Sequence, residues 1–248
     1  MSRALTLAAP GHPWPFVRAW NRRDNPLPYR AIRAPARGRL SPFELQGPAW
    51  LETGPAGQPF DFCAQVRRLC ADIVTRSEPF FHIDISRVLF AVTQARGHRR
   101  QGLQARVTPL RFRDGLVRHR RRGSSCQVQR YFVDNREMLY VVSFCLPRFL
   151  DQDFDDKFIT LFHELYHISP SFNGDLRRHA GRCAIHTRSK RDFDEQMAHL
   201  ARAYLSSGPD SRLHAFLRLT FAQLQERHGR VVGVVVPRPK LIPLAARK

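Results

Sequence analysis

Lysine is nearly missing from this 248-residue chain, acidic residues are scarce, and no cysteine has a partner at metal-binding or redox spacing. Each shortage excludes something. The five cysteines (Cys63, Cys70, Cys126, Cys145 and Cys183) are odd in number and include no Cys-x-x-Cys pair, which argues against a disulfide framework and against a zinc ribbon. They read as small buried hydrophobes. No run reaches the roughly 18 unbroken apolar residues that a membrane helix needs, so no membrane partner is expected. The opening MSRALTLAAPGHPWPF is broken at once by prolines and Trp14, a poor signal-peptide profile, and the expected location is cytoplasmic.

Positive charge is abundant. Of 41 basic residues only four are Lys, and the formal net charge is +20. Residues 86–130 hold 12 Arg against one acidic residue. Arginine's planar fork suits phosphate, so non-specific attraction to nucleic acid or another polyanion follows, without sequence specificity. The run Arg118–Arg122 lacks the interleaved aromatics of a base-stacking platform.

Three parts are predicted. Residues 1–58 are rich in Pro, Gly, Ala and Arg and read as largely irregular. Residues 59–230 carry the periodic elements, and residues 231–248 a short strand and a basic tail. Apolar spacing predicts a helix over Asp61–Ser77, one or two strands over Phe80–Ala95 and a strand over Leu103–Phe112. The basic block Arg118–Arg122 reads as a loop or hairpin tip. Gln127–Val133 and Met138–Leu146 read as a hairpin around Asp134-Asn135. A helix opened by Asp151, Asp153, Asp155 and Asp156 and stopped by Pro170 follows, then helices near Asp192–Leu205 and Ser211–His228 and a strand at Val231–Val236. The layout is α+β.

Within the acidic-headed helix lies His163-Glu164-Leu165-Tyr166-His167. At about 100° per residue the two histidines stand one turn apart on one face, so both imidazoles reach one metal ion. Phe158, Leu161, Phe162 and Leu165 form a separate core stripe. Glu164 flanks the histidine pair, placed to hydrogen-bond a water on the metal without ligating it. Zinc lowers the pKa of such a water to roughly 7. Glu164 then accepts its proton and passes it to the leaving amine.

A strand closed by Pro147 and followed by a helix carrying HELYHI is similar to zincin peptidases. The segment HELYHISPSFNGDLRRHAG most resembles the phage and archaeal metallopeptidase family and the SprT-like proteases. The resemblance covers Asp61 to about Leu205, with HExxH and the following histidine as its sharp features. It implies a zincin-like α+β fold, in which a small mixed or antiparallel sheet packs on the motif helix and further helices follow. It also implies a single Zn2+, a protein or peptide substrate, and a third histidine ligand about a dozen residues after the motif. His179 stands there, and is the first candidate beside His163 and His167.

His186, and Glu195 from a following helix, stay open as third ligands, and Asp175 is nearer in sequence. The metzincin pattern is excluded, because Pro170 and Asn173 stand where it needs Gly and His. Arg177 and Arg178 could orient a substrate carbonyl, and Tyr166 could stabilise an oxyanion. Two other functions share these residues: a basic nucleic-acid-associated protein with a structural metal, or a metal-dependent amidase acting on a non-protein substrate. Glu164 separates the first from a peptidase, since a structural site needs no carboxylate beside its ligands.

Overall fold

The computed structural model describes residues 16–33, 53–95, 102–121, 124–178 and 190–244. Strands β1 (Val17–Trp20), β2 (Tyr29–Ala31) and β3 (Phe60–Asp61) lead into helix α1 (Phe62–Arg76). Seven strands follow: β4 (Val88–Gln94), β5 (Ala105–Pro109), β6 (Arg118–Arg121), β7 (Ser124–Val128), β8 (Arg130–Val133), β9 (Arg136–Met138) and β10 (Tyr140–Leu146). Then come α2 (Phe154–Tyr166), α3 (Lys190–Ser206), α4 (Ser211–His214), α5 (Phe221–His228), β11 (Val231–Val234) and β12 (Leu241–Pro243). The chain is mixed α+β, with small three-stranded sheets and five helices among the described residues.

The sheet that carries the site has the order β4-β10-β5. β10 runs parallel to β4, from Tyr140 opposite Val88 to Leu146 opposite Gln94, and antiparallel to β5, with Val142 opposite Val107. Side chains alternate across a strand, and here both faces are covered. Val88, Phe90, Val92, Val107, Tyr140, Val142 and Phe144 join the core formed with α1 and α2. Leu89, Ala91 and Val141 pack on the other side against Trp20, Tyr131 and Met138. Double coverage explains why β10 is apolar on both faces apart from Ser143.

Helix α1 matches its expected bounds because its ends are chemically marked. The Asp61 carboxylate accepts the Ala64 N–H at 3.0 Å, and the Ser77 N–H closes on Ile73 O. The described part of the N-terminal segment contributes β1, parallel to β8, and β2, antiparallel to β11.

Four expectations change. Phe80–Ala95 is strand only from Val88. Glu78–Phe80 and Ile85–Arg87 are short 3-10 turns, the second capped by Asp84 accepting the Ser86 N–H. Phe80, Ile83 and Ile85 are buried, so their apolar character reports burial and not strand geometry. The Asp134-Asn135 turn is real, with φ of 47° and 63°, but it joins β8 to β9 alone. The chain then leaves at Leu139, and β10 enters a different sheet. Within the basic block, Arg118–Arg121 form β6, an edge strand antiparallel to β7 with Arg121 opposite Ser124, so these residues are the arm that leads to a hairpin tip, with Arg118 and Arg120 exposed. An edge strand can carry charge on both faces because neither must be buried. Finally, Ser211–His228 is not one helix. A 3-10 turn at Ala215–Arg218 follows α4, and a capping box of Thr220 and Gln223 starts α5 afresh. The buried Lys157 ammonium of α2 donates to Leu217 O and Leu219 O, both at 2.9 Å, supplying donors where the helix is interrupted.

Candidate metal centre

Helix α2 divides its surface as the sequence spacing predicts. Phe158, Leu161, Phe162 and Leu165 are fully buried, and the Phe162 ring meets Phe80 edge-on at 5.4 Å. His163 and His167 stand on another face with ring centroids 4.6 Å apart and planes at 79°. His163 is half-buried, whereas His167 is buried and caps the helix. Both rings meet Phe193 of α3. His163 packs edge-on at 4.7 Å, and His167 stacks at 6.0 Å.

Glu164 turns toward the sheet. It is 7% exposed, and its Oε2 accepts the Val107 N–H at 2.7 Å. Burial raises its pKa to about 7, while the Val107 N–H and the nearby Arg106 charge pull the other way. Strand β5 is hydrogen-bonded to a neighbour on one side only among the described residues, the β10 side. The Val107 N–H therefore belongs to its open edge. Helix and edge strand meet at this carboxylate.

The loop after α2 is tied back by several polar contacts. His167 O accepts the Arg177 N–H at 2.7 Å, and Ile168 bridges Leu176. The Tyr140 hydroxyl donates to Asp175 O at 2.8 Å and accepts the Gly174 N–H at 2.9 Å. Gly174 has φ of 88°, and a Cβ there would lie 2.4 Å from Arg111 Cγ, so the turn read at Asn173-Gly174 requires glycine.

Comparison of the chain with protein-family models, with curated proteins and with solved structures found no match. The site therefore stands on its own geometry.

His163, Glu164 and His167 are brought together; the other candidates fare differently. His179 and His186 lie outside the described residues. Glu195 is 65% exposed and pairs with Arg191 at 2.8 Å, away from the histidines. Its neighbour Asp194 faces the site instead, with Oδ1 3.8 Å from His163 Nδ1. Asp175 is buried and organises the loop. Its carboxylate accepts the Asp114 and Leu176 N–H groups and both Nε and Nη2 of Arg178. Arg177 is engaged by the protein too. Its Nε donates to Tyr166 O at 2.7 Å, and its guanidinium lies 4.1 Å from the Tyr166 ring centre. Tyr166 packs against Phe80 and Phe193. His82 sits beside Arg177, and burial together with that charge lowers its pKa.

Asp194 was not read from the sequence, yet a signal was present. Phe193, Met197, Ala201 and Tyr204 form the buried stripe of α3. At about 100° per residue, Asp194 falls roughly 65° from the centre of that stripe and Glu195 roughly 165° away. The stripe thus points Glu195 to solvent and leaves Asp194 at the margin of the packed face.

Among the described residues no three His, Cys, Asp or Glu side chains gather into a complete metal-ligand set. Two imidazoles one turn apart, with a buried carboxylate beside them, nevertheless suit zinc, which favours neutral nitrogen donors. His163 and His167 would hold the ion. A cavity of about 560 Å³ lined by Trp20, Tyr29, Arg67, Phe90 and Met138 draws no lining residue from α2 or α3, and is separate from this chemistry.

Proposed function

We propose that this chain is a zinc-dependent peptidase using His163 and His167 as metal ligands and Glu164 as general base and acid. The reading is carried by one juxtaposition: paired imidazoles on α2, with the Glu164 carboxylate of the same turn held against the open edge of β5. When bound, zinc supplies Lewis acidity, polarising a substrate carbonyl and easing deprotonation of water. Glu164 uses Oε2 to hold the Val107 N–H, which leaves Oε1 for a proton. A carboxyl whose pKa is raised toward 7 can take that proton from water and return it to the departing amine near neutral pH. The side of β5 away from β10 carries no further strand among the described residues, so an extended peptide added there would gain affinity from main-chain hydrogen bonds and selectivity from alternate side chains. That favours a peptide over a compact non-protein amide. The third zinc ligand belongs to the His179–His186 stretch in this reading, with His179 first.

The exposed Arg118 and Arg120 of β6 support an additional non-specific affinity for polyanions such as nucleic acid.

The deciding experiment measures metal content by mass spectrometry and casein cleavage on wild type, His163→Ala and Glu164→Gln. Near-stoichiometric zinc in wild type and Glu164→Gln, its loss in His163→Ala, and cleavage by wild type alone is the expected pattern. Carefully handled wild type without zinc would end the proposal.

A further inference from the structure

Near its N-terminal end, α3 brings two consecutive side chains to the histidine pair, and each acts on it differently. Phe193 is buried and lies against both rings, edge-on to His163 at 4.7 Å and stacked on His167 at 6.0 Å. It restricts ring rotation by packing. Asp194 approaches one atom, His163 Nδ1, at 3.8 Å. That separation exceeds a hydrogen bond. The Asp194 side chain is 38% exposed, so a small rotation can close the gap. Asp194 also approaches the Nδ1 side of a single imidazole, and no three-residue ligand group forms among the described residues. The nitrogen it approaches is Nδ1, which leaves the role of metal donor to Nε2 of the same ring.

We infer that Asp194 is the positioning carboxylate of His163: it takes the Nδ1–H, fixes the Nδ1-protonated tautomer, and leaves Nε2 as the metal-donating nitrogen. This rests on the metal-site reading above and adds to it a residue from a separate helix. The physical reason is general. A ligating imidazole must present a lone pair at one nitrogen, and a carboxylate at the other holds the proton there and increases the ring's basicity. Docking α3 onto α2 thus does more than complete a core. It sets which nitrogen of His163 is available, so zinc affinity is coupled to the seating of α3. Glu195, one residue on, has no such role, since it is turned outward and paired with Arg191.

The test uses full-length protein in four forms: wild type, Asp194→Ala, Asp194→Glu and the control Glu195→Gln. Zinc affinity is measured by competition with a chromogenic chelator. The His163 tautomer is read on zinc-free protein by long-range 1H–15N correlation. Asp194→Ala is expected to weaken zinc binding by about 10- to 100-fold and to shift His163 from the Nδ1–H toward the Nε2–H form. Asp194→Glu is expected to recover part of both, and Glu195→Gln to leave both unchanged. Circular dichroism confirms that the variants fold.

Zinc binding that is tight in wild type and equally tight in Asp194→Ala overturns the role of Asp194 and leaves the metal site standing. An unchanged tautomer does the same. Loss of affinity beyond about 1,000-fold makes Asp194 a direct ligand and overturns the positioning role, because an orienting partner contributes less than that. Absence of zinc binding in wild type overturns the metal reading itself, and this role with it.

Discussion

Glu164 of α2 and Val107 of the edge strand β5 are joined by a 2.7 Å hydrogen bond from the Val107 N–H to the buried carboxylate. This contact fixes the motif helix against the open side of the sheet and keeps one carboxylate oxygen within the site. Glu164→Gln preserves an acceptor for Val107 while removing the proton-accepting charge. Zinc content and thermal stability are expected to stay near wild type while cleavage falls by about 10²- to 10⁴-fold. Parallel metal analysis, melting and casein assays check this, and cleavage at the wild-type rate would remove Glu164 from the mechanism.

The loop behind His167 depends on a residue without a side chain. Gly174→Ala places a Cβ against Arg111 Cγ at a φ of 88°, and is expected to destabilise the protein by about 1–3 kcal/mol. Urea unfolding would show this as a lowered midpoint, and a midpoint equal to wild type would mean the loop can relax.

Tyr140→Phe tests the same loop from the sheet side. It removes the hydroxyl that serves Gly174 N–H and Asp175 O, both on buried residues or their backbone. A cost of about 1–3 kcal/mol is expected, with zinc affinity less affected than in His163→Ala. Equilibrium unfolding of the variant measures the first part, and chelator competition the second.

Lys157 makes stability depend on alkaline pH. Burial lowers its pKa to about 8 from an ordinary value near 10.5, against the opposing pull of Asp151 and Asp153. Below pH 8 both folded and unfolded forms carry the proton, and the desolvation cost is fully present. Between pH 8 and 10.5 the unfolded chain holds a proton that the folded protein has released, so this group's contribution to stability rises with pH, by about 3 kcal/mol across the window. Lys157→Met is expected to remove that rise. Denaturation at pH 7.5, 9 and 10.5 compares the slopes, and identical slopes would mean Lys157 keeps an ordinary pKa.

The exposed arginines of β6 give a salt-sensitive expectation. If Arg118 and Arg120 contact phosphates, duplex DNA binding by the Arg118→Ala, Arg120→Ala double variant loses up to about 2 from the slope of log K against log salt. Fluorescence anisotropy over a salt series measures the slope, and an unchanged slope places the contacts elsewhere.

Much of this protein is readable from the chain alone, for identifiable reasons. The α1 bounds follow from Asp61 and Ser77, because capping is a local hydrogen-bonding problem. The pairing of His163 with His167 follows from helical periodicity once Phe158, Leu161, Phe162 and Leu165 fix the buried face. The turns at Asp134-Asn135 and Asn173-Gly174 follow from residues that tolerate positive φ. All of these are settled within a few residues. Tertiary structure decided the rest. β10 leaves the expected hairpin for another sheet, because strand partners are chosen by burial on both faces and not by the adjacent turn. The basic block became an edge strand because β7 was available beside it. Lys157 bridges a break between helices some 60 residues away in sequence. Asp194, not Glu195, meets His163 because the docking of α3 on α2 sets which side of the helix faces the site. Local chemistry chose the histidines and the carboxylate between them; long-range packing chose what stands behind them, since contacts between distant segments are fixed only when their apolar faces are buried together.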